Sequence, residues 1–237
     1  MLNTIILVVV IFGAAFLQTL SGFGFALIVM PLAVSIAGME TAAPLIALTG
    51  LTLYTINLFR YRHAVNMDEL KRLGLAAAIG VPVGMALVTH LPETTIRFAL
   101  GLLLVGYALY ALFLPPVTAV PSPHWRYLAG FLAGCLGGAY NVPGPPVIIY
   151  GSASQWPKDQ FRAVLQSLFF LQGLLVVGGH ILARHVTSIT LTTYLYAIPA
   201  LLGGIFLGAR LDGKVNKPRF RVLVTIMILC LGISLLF

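Results

Sequence analysis

The chain has 237 residues, 59% of them hydrophobic and only 8% charged, with a mean hydropathy of +1.01. That composition excludes an ordinary soluble domain and leaves an integral membrane protein. The net charge of +8 would suggest nucleic acid for a soluble chain, but the Lys and Arg residues sit in short loops between apolar runs. There they set orientation in a bilayer, so the expected partner is lipid and not nucleic acid.

Met1 to Met39 carries no charge. As one helix it would reach about 58 Å, nearly twice the hydrocarbon core, so it must break. "LSGFGF", residues 20–25, supplies the break through Gly22 and Gly24. With no basic n-region, a cleaved signal peptide is not expected. Apolar runs follow over 41–59, 73–92, 98–125, 127–157, 163–183, 185–209 and 222–237. The run 127–157 is again too long for one crossing. It breaks within "GGAYNVPGPPVI", where Gly137, Gly138, Asn141, Pro143, Gly144, Pro145 and Pro146 cluster. The expected fold is an all-α polytopic membrane protein of two halves, 1–115 and 125–237. The first half holds a hairpin over 4–38 and helices near 41–60, 72–90 and 94–114. The second holds a hairpin over 127–154 and helices near 160–182, 189–209 and 219–237.

The halves resemble each other. "SGFGFALIVMPL" and "GGAYNVPGPPVI" pair Gly24 with Gly138 and Pro31 with Pro145, while "GVPVGMALVTHLPETTIRF" from Gly80 matches "GIFLGARLDGKVNKPRFRV" from Gly204. Weak internal repetition of this kind is common in transporters. Charge then decides the topology. If each broken run crosses once, the 14 Lys and Arg divide six to eight between the two sides, which carries no orientation signal. If each is a hairpin returning to its own side, twelve fall on one face and only Arg97 and Arg184 on the other. That asymmetry marks a cytoplasmic face. The expectation is two inverted repeats with both termini outside.

Non-helical backbone at membrane depth is tolerated only against protein or a water-filled cavity. Two tips entering from opposite sides would aim uncapped N–H groups and positive helix N-termini into a common space, where an anion could be held. The alternative is that Gly and Pro merely kink tightly packed helices. The candidate ligand groups at the tips are Gln18, Ser21, Gly22, Phe23, Gly24 and Phe25, and Tyr140, Asn141, Val142, Pro143 and Gly144. Phe23, Phe25 and Tyr140 would contact an organic moiety. Gln18, Thr19 and Ser21 could donate to an anion, or satisfy the broken backbone locally. Gln166, Gly173 and His180 recur every seven residues with Arg162 a turn earlier, and Ala43, Gly50 and Asn57 repeat the spacing. Such stripes suit a cavity wall, or equally interhelical hydrogen bonds. His180 is a candidate proton carrier. Arg162 and Lys158 would form a basic vestibule, and Arg97 and Arg221 interfacial anchors.

"LSGFGFALIVMPL" and "GGAYNVPGPPVIIYG", each opening one half of an apolar chain of this length, resemble the two glycine- and proline-containing motifs of the TauE/SafE sulfite exporter family, also called the 4-toluene sulfonate uptake permease family. The resemblance covers essentially the whole chain. It departs from the more usual glycine triplet, since Phe23 and Phe25 flank Gly24, and Tyr140 and Asn141 follow Gly138. What it implies is a bacterial inner-membrane transporter of sulfite, sulfonates or related organosulfur anions, often exporting them.

Other classes fare worse. There is no Ser, His and carboxylate grouping, no metal-ligand spacing and no phosphate loop, so neither an enzyme nor a cofactor or metal is expected. All six acidic residues fall at helix ends or in loops, and Cys135 and Cys230 lie far apart in apolar segments. A passive anion channel stays open, as does a carrier of another small organic anion such as a carboxylate. The substrate, the direction, a proton or other coupling ion, and a homodimer are likewise left open.

Overall fold

The computed structural model describes residues 2–114, 122–215 and 217–236, without the side chains of residues 217–219 and 221. The chain positions Met1, Pro115 and Phe237 that bound the expected halves, and the charges of Lys217, Arg219 and Arg221 counted above, therefore lie outside the described residues. Regular structure among those described is wholly helical: α1 (Leu2–Ser21), α2 (Phe25–Tyr61), α3 (Met67–Thr89), α4 (Glu93–Phe113), α5 (Trp125–Tyr140), α6 (Gly144–Ala153), α7 (Lys158–Leu182), α8 (Ser188–Leu211) and α9 (Lys217–Ser234), with a 3-10 turn at Arg62–Ala64. Six helical segments, α1 to α4, α7 and α8, are long and apolar enough to cross a membrane. The fold is the expected all-α membrane bundle.

Straightened, the 37 residues of α2 would extend about 55 Å. They do not, because Gly38 adopts φ 73°, ψ 166° and ends the first limb, 25–37, before the second, 39–61, begins. The contacts show the reversal. Leu20, just ahead of α2, and Tyr61, at its far end, both bond Arg162, while Met39 beside the kink donates its N–H to Glu93 of α4. Residues 2–37 therefore form one hairpin. The second is built likewise: Arg126 near the start of α5 and Tyr150 near the end of α6 both reach the Asp68–Glu69 pair that opens α3. Its chain must turn back between them.

The turns rest on left-handed residues, Gly22 (φ 88°) and Gly24 (φ 110°) in the first and Asn141 (φ 57°) in the second, with Gly22 and Asn141 each three residues ahead of the helix that follows. Gly and Asn are the residues that reach this region at least cost. This corrects the pairing of Gly24 with Gly138 and of Pro31 with Pro145. Gly137 and Gly138 are helical and lie inside α5, whereas Pro31 is inside α2 and Pro145 stands at the start of α6. The conformation that turns the chain is shared at Gly22 and Asn141, not at the residues that align by identity.

The small residues of α3 and α8 instead serve close packing. A Cβ at Gly80 would strike the Phe131 carbonyl and one at Gly84 the Cys135 carbonyl, so α3 lies directly on α5. Gly204 and Gly208 of α8 meet the Phe12 and Phe16 carbonyls of α1 in the same way. Without a hydrophobic drive between helices in lipid, such backbone contact is a main source of association. At the start of α3, Asn66 accepts the N–H groups of Asp68 and Glu69, and the helix begins at Met67 instead of near 72.

Gly84→Ala should therefore lower the stability in detergent by about 1–3 kcal/mol, because a backbone carbonyl cannot step aside. Gly106→Ala in α4, where a Cβ meets nothing within 4 Å, should be neutral or stabilising by up to about 1 kcal/mol. Thermal melting of the two variants checks the contrast; equal melting temperatures would show that the glycine contact is not what joins α3 to α5.

Candidate functional site

One turn into α7, Arg162 is 9% exposed and gathers three other segments around its guanidinium. Its Nη1 donates to Asp212 Oδ2 at 2.8 Å and to the Tyr61 hydroxyl at 2.9 Å. Nη2 donates to Asp212 Oδ1 at 2.9 Å and to the Leu20 carbonyl at 2.8 Å. The fork is bidentate to a carboxylate that is itself only 9% exposed, directly after α8. Arg60 adds a third charge, 3.1 Å from Asp212 Oδ2, and the Arg162 cation stacks 5.3 Å from the centre of the Tyr61 ring. Arg162 thereby fixes the first tip, through Leu20, to the ends of α2 and α8.

Beside this cluster lies a vestibule of about 350 Å³ that opens where Gln155, Lys158 and Asp159 are exposed. Ser21, Phe23, Ser152, Trp156, Phe161 and Arg162 are among the residues lining it. Deeper in, the tips meet. Gly24, Phe25, Ala26 and Leu27 share one small pocket with Val142, Pro143 and Gly144, and Tyr54 and Phe169 stand at its side. A second small pocket, of about 20 Å³, lies around Asn141 and Gln172 and uses the same Tyr54, Pro143 and Phe169. The rings of Tyr54 and Phe169, with centroids 5.2 Å apart, close the seam between the two.

At the first tip the side chains named from sequence bond the backbone. Gln18 Oε1 accepts the Phe25 N–H at 2.9 Å, and its Nε2 donates to the Gly22 carbonyl. Ser21 Oγ lies within hydrogen-bond reach of the Leu17 and Phe23 carbonyls, to one of which its single proton goes, and accepts the Phe23 N–H. Gln166 Nε2 reaches the Gly22 carbonyl at 2.8 Å, and Asn57 Nδ2 lies 3.5 Å from Thr19 Oγ1. At the second tip Asn141 Nδ2 donates to the Ala43 carbonyl. Gly22 and Asn141 are thus each held by a helix of the other half. Phe23, Phe25, Tyr140 and Val142 are buried. His180 is not brought to either tip: it sits about 27 Å further along α7 than Arg162 and pairs with His185, Nδ1 to Nδ1 at 3.2 Å.

Helix starts at the tips differ in what they offer. The Phe25 N–H is taken by Gln18, while those of Ala26 and Leu27 have no carbonyl inside α2 to receive them. In α6 the second and third positions are Pro145 and Pro146, which carry no N–H, so Gly144 is the main donor there.

Sequence reasoning did not single out Tyr54, Phe169, Gln172, Tyr61 or Asp212. Asp212 had a signal, since a carboxylate directly after an apolar helix and among basic residues needs a partner. The aromatic pair and Gln172 had none beyond polarity or size within an apolar run.

A polytopic bundle in which two broken helices bring uncapped ends to one seam, with a vestibule leading toward it, has the build of a membrane transporter. The family description Sulfite exporter TauE/SafE matches residues 7–235, and the chain belongs to that family of membrane transporters. Neither the curated proteins nor the solved structures contain a match to it.

Asp212→Ala should cost about 3 kcal/mol, because it leaves the buried Arg162 without its carboxylate, and Arg162→Ala should cost less, because Arg60 still pairs with Asp212. The double variant should cost at least about 1 kcal/mol less than their sum. Denaturation in detergent of the four proteins measures that coupling; additive losses would show that the pair does not act as a unit.

Proposed function

We propose that the protein is a secondary transporter of small sulfur anions of the sulfite and sulfonate class, working in the export direction. The anion enters from the vestibule, meets the cations of Lys158 and Arg162, and passes to the seam between the tips. There the N–H groups of Ala26, Leu27 and Gly144 receive it. The observation that carries this reading is the shared pocket wall: Gly24 to Leu27 from one hairpin and Val142 to Gly144 from the other line the same space.

The halves act as inverted repeats in this reading, and access alternates as one half moves against the other. The reading draws support from matched packing, α3 on α5 through Gly80 and Gly84, and α1 on α8 through Gly204 and Gly208. The end of the bundle that carries Arg60, Arg72, Arg126 and Arg162 is its cytoplasmic face in the inner membrane, with both termini outside. An inside-negative potential favours exit of an anion by about 2.3 kcal/mol per charge per 100 mV, so export needs no coupling ion.

Counterflow in proteoliposomes tests transport. Labelled sulfite, sulfate, taurine, sulfoacetate, an aromatic sulfonate and a short carboxylate are offered against unlabelled anion inside. Saturable exchange of a sulfur anion is the expected result; exchange of the carboxylate alone would reject the substrate class, and conductance without counterflow would reject a carrier. Single cysteines at Lys158 and Arg184 test orientation separately. Labelling of Lys158→Cys from the cytoplasm and Arg184→Cys from outside is expected, and both reporting the same side would end the inverted arrangement.

A further inference from the structure

Gln172 lies in the middle of α7 and is 2% exposed, yet among the described residues neither its Nε2 nor its Oε1 has a hydrogen-bond partner. A buried polar group left unpaired costs about 1–3 kcal/mol, and a leucine would fill similar space without that cost. The amide is also housed. It lines the pocket at the second tip with Asn141, Pro143, Tyr54 and Phe169, and its Oε1 lies where a Cβ on residue 137 would stand. Gly137 therefore makes room for it. A polar group kept at a cost to stability, inside a pocket at the meeting of the tips, marks function before architecture.

The chemistry of the amide narrows the ligand. An amide presents two donors on nitrogen and an acceptor oxygen. Both atoms are unpaired, so the argument is the same whichever way the group is turned. A fully deprotonated oxyanion has only acceptors; it would satisfy Nε2 and leave Oε1 facing another lone pair. Two further buried amide oxygens, Gln166 Oε1 and Asn57 Oδ1, also lack partners. Their orientation is set by the network. Gln166 Nε2 must face the Gly22 carbonyl, and Asn57 Nδ2 faces Thr19 Oγ1, whose own proton goes to the Ala15 carbonyl. Among the described residues, unpaired buried amide oxygens outnumber unpaired amide nitrogens three to one. The polar groups on α2 and α7 call for a ligand that brings hydrogen of its own.

We infer that Gln172 is a specificity-determining residue for a sulfur anion bearing an O–H or N–H donor, its Nε2 donating to the oxyanion and its Oε1 accepting from that donor. The preferred substrates are then hydroxy- or amino-substituted sulfonates, or hydrogen sulfite, over sulfonates with no donor. This rests on the reading that the anion passes between the tips. The pocket has room for about one water-sized group, so the rings of Tyr54 and Phe169 part to admit the head group.

The test compares 2-hydroxyethanesulfonate with ethanesulfonate, which share charge and differ by one hydroxyl, in counterflow by the wild-type protein, Gln172→Leu and Gln172→Met. The wild type should favour the hydroxy compound by about tenfold or more. Both variants should bring the two within about twofold, chiefly through a raised KM for the hydroxy compound. In detergent without anion, both should melt at or above the wild-type temperature. Sulfite offered in acid and in alkaline buffer separates hydrogen sulfite from the organic sulfonates as the source of the donor, with a preference for acid that Gln172→Leu abolishes. Equal handling of the two sulfonates by the wild type, or an unchanged preference in both variants, would overturn the assignment to Gln172. Absence of counterflow for every sulfur anion in the wild type would overturn the transport reading beneath it, so the two failures are distinct.

Discussion

The arrangement of the bundle depends on where the Arg162 guanidinium spends its hydrogen bonds. A cation taken from water into a helix bundle must be matched by charge and by acceptors, or it will not stay. Arg162 finds a carboxylate from the end of α8, a phenol from the end of α2 and a carbonyl from the tip of the first hairpin. Since the ends of three separate elements meet at one planar group, the depth of the first tip is set relative to α2, α7 and α8 together. Arg60 joins Arg162 on the same carboxylate, and the cluster lies beside the vestibule.

From that fixed point inward, packing replaces charge. The backbones of α3 and α5, and of α1 and α8, approach over glycine, which leaves little for side chains to specify. At the seam between the tips the rings of Tyr54 and Phe169 meet. A polar tie thus stands at one end of the bundle and an apolar contact at the seam. The amides of Asn57, Gln166 and Gln172, each with at least one unpaired atom, lie on α2 and α7. Those are the two helices that flank the tips.

What could be read from the residues was the solvent, the number of apolar segments and the two breaks. A charge-free run longer than a bilayer is thick has to turn, and Gly22 and Asn141 are residue types that can turn it. The register between the halves was harder. Identity aligned Gly24 with Gly138, whereas the shared feature is a backbone conformation that both glycine and asparagine can reach, and one-letter matching does not see φ. Ser21 and Gln18 looked like ligand donors because they are polar residues at a break; the same polarity is consumed in closing the turn. His180 shared a stripe with Gln166, but a stripe runs the length of a helix, and the tips touch only one part of it.

Composition alone determined that this chain lives in a membrane and that its two over-long apolar runs break. These follow from one-dimensional quantities, hydropathy and run length, that lipid enforces along the chain. Tertiary structure alone decided that Asp212 belongs to Arg162, that Tyr54 meets Phe169, and that Gln172 has no hydrogen-bond partner among the described residues. Each is a relation between segments separated by tens of residues. Helix packing, not local pattern, determines which side chains of such segments face each other.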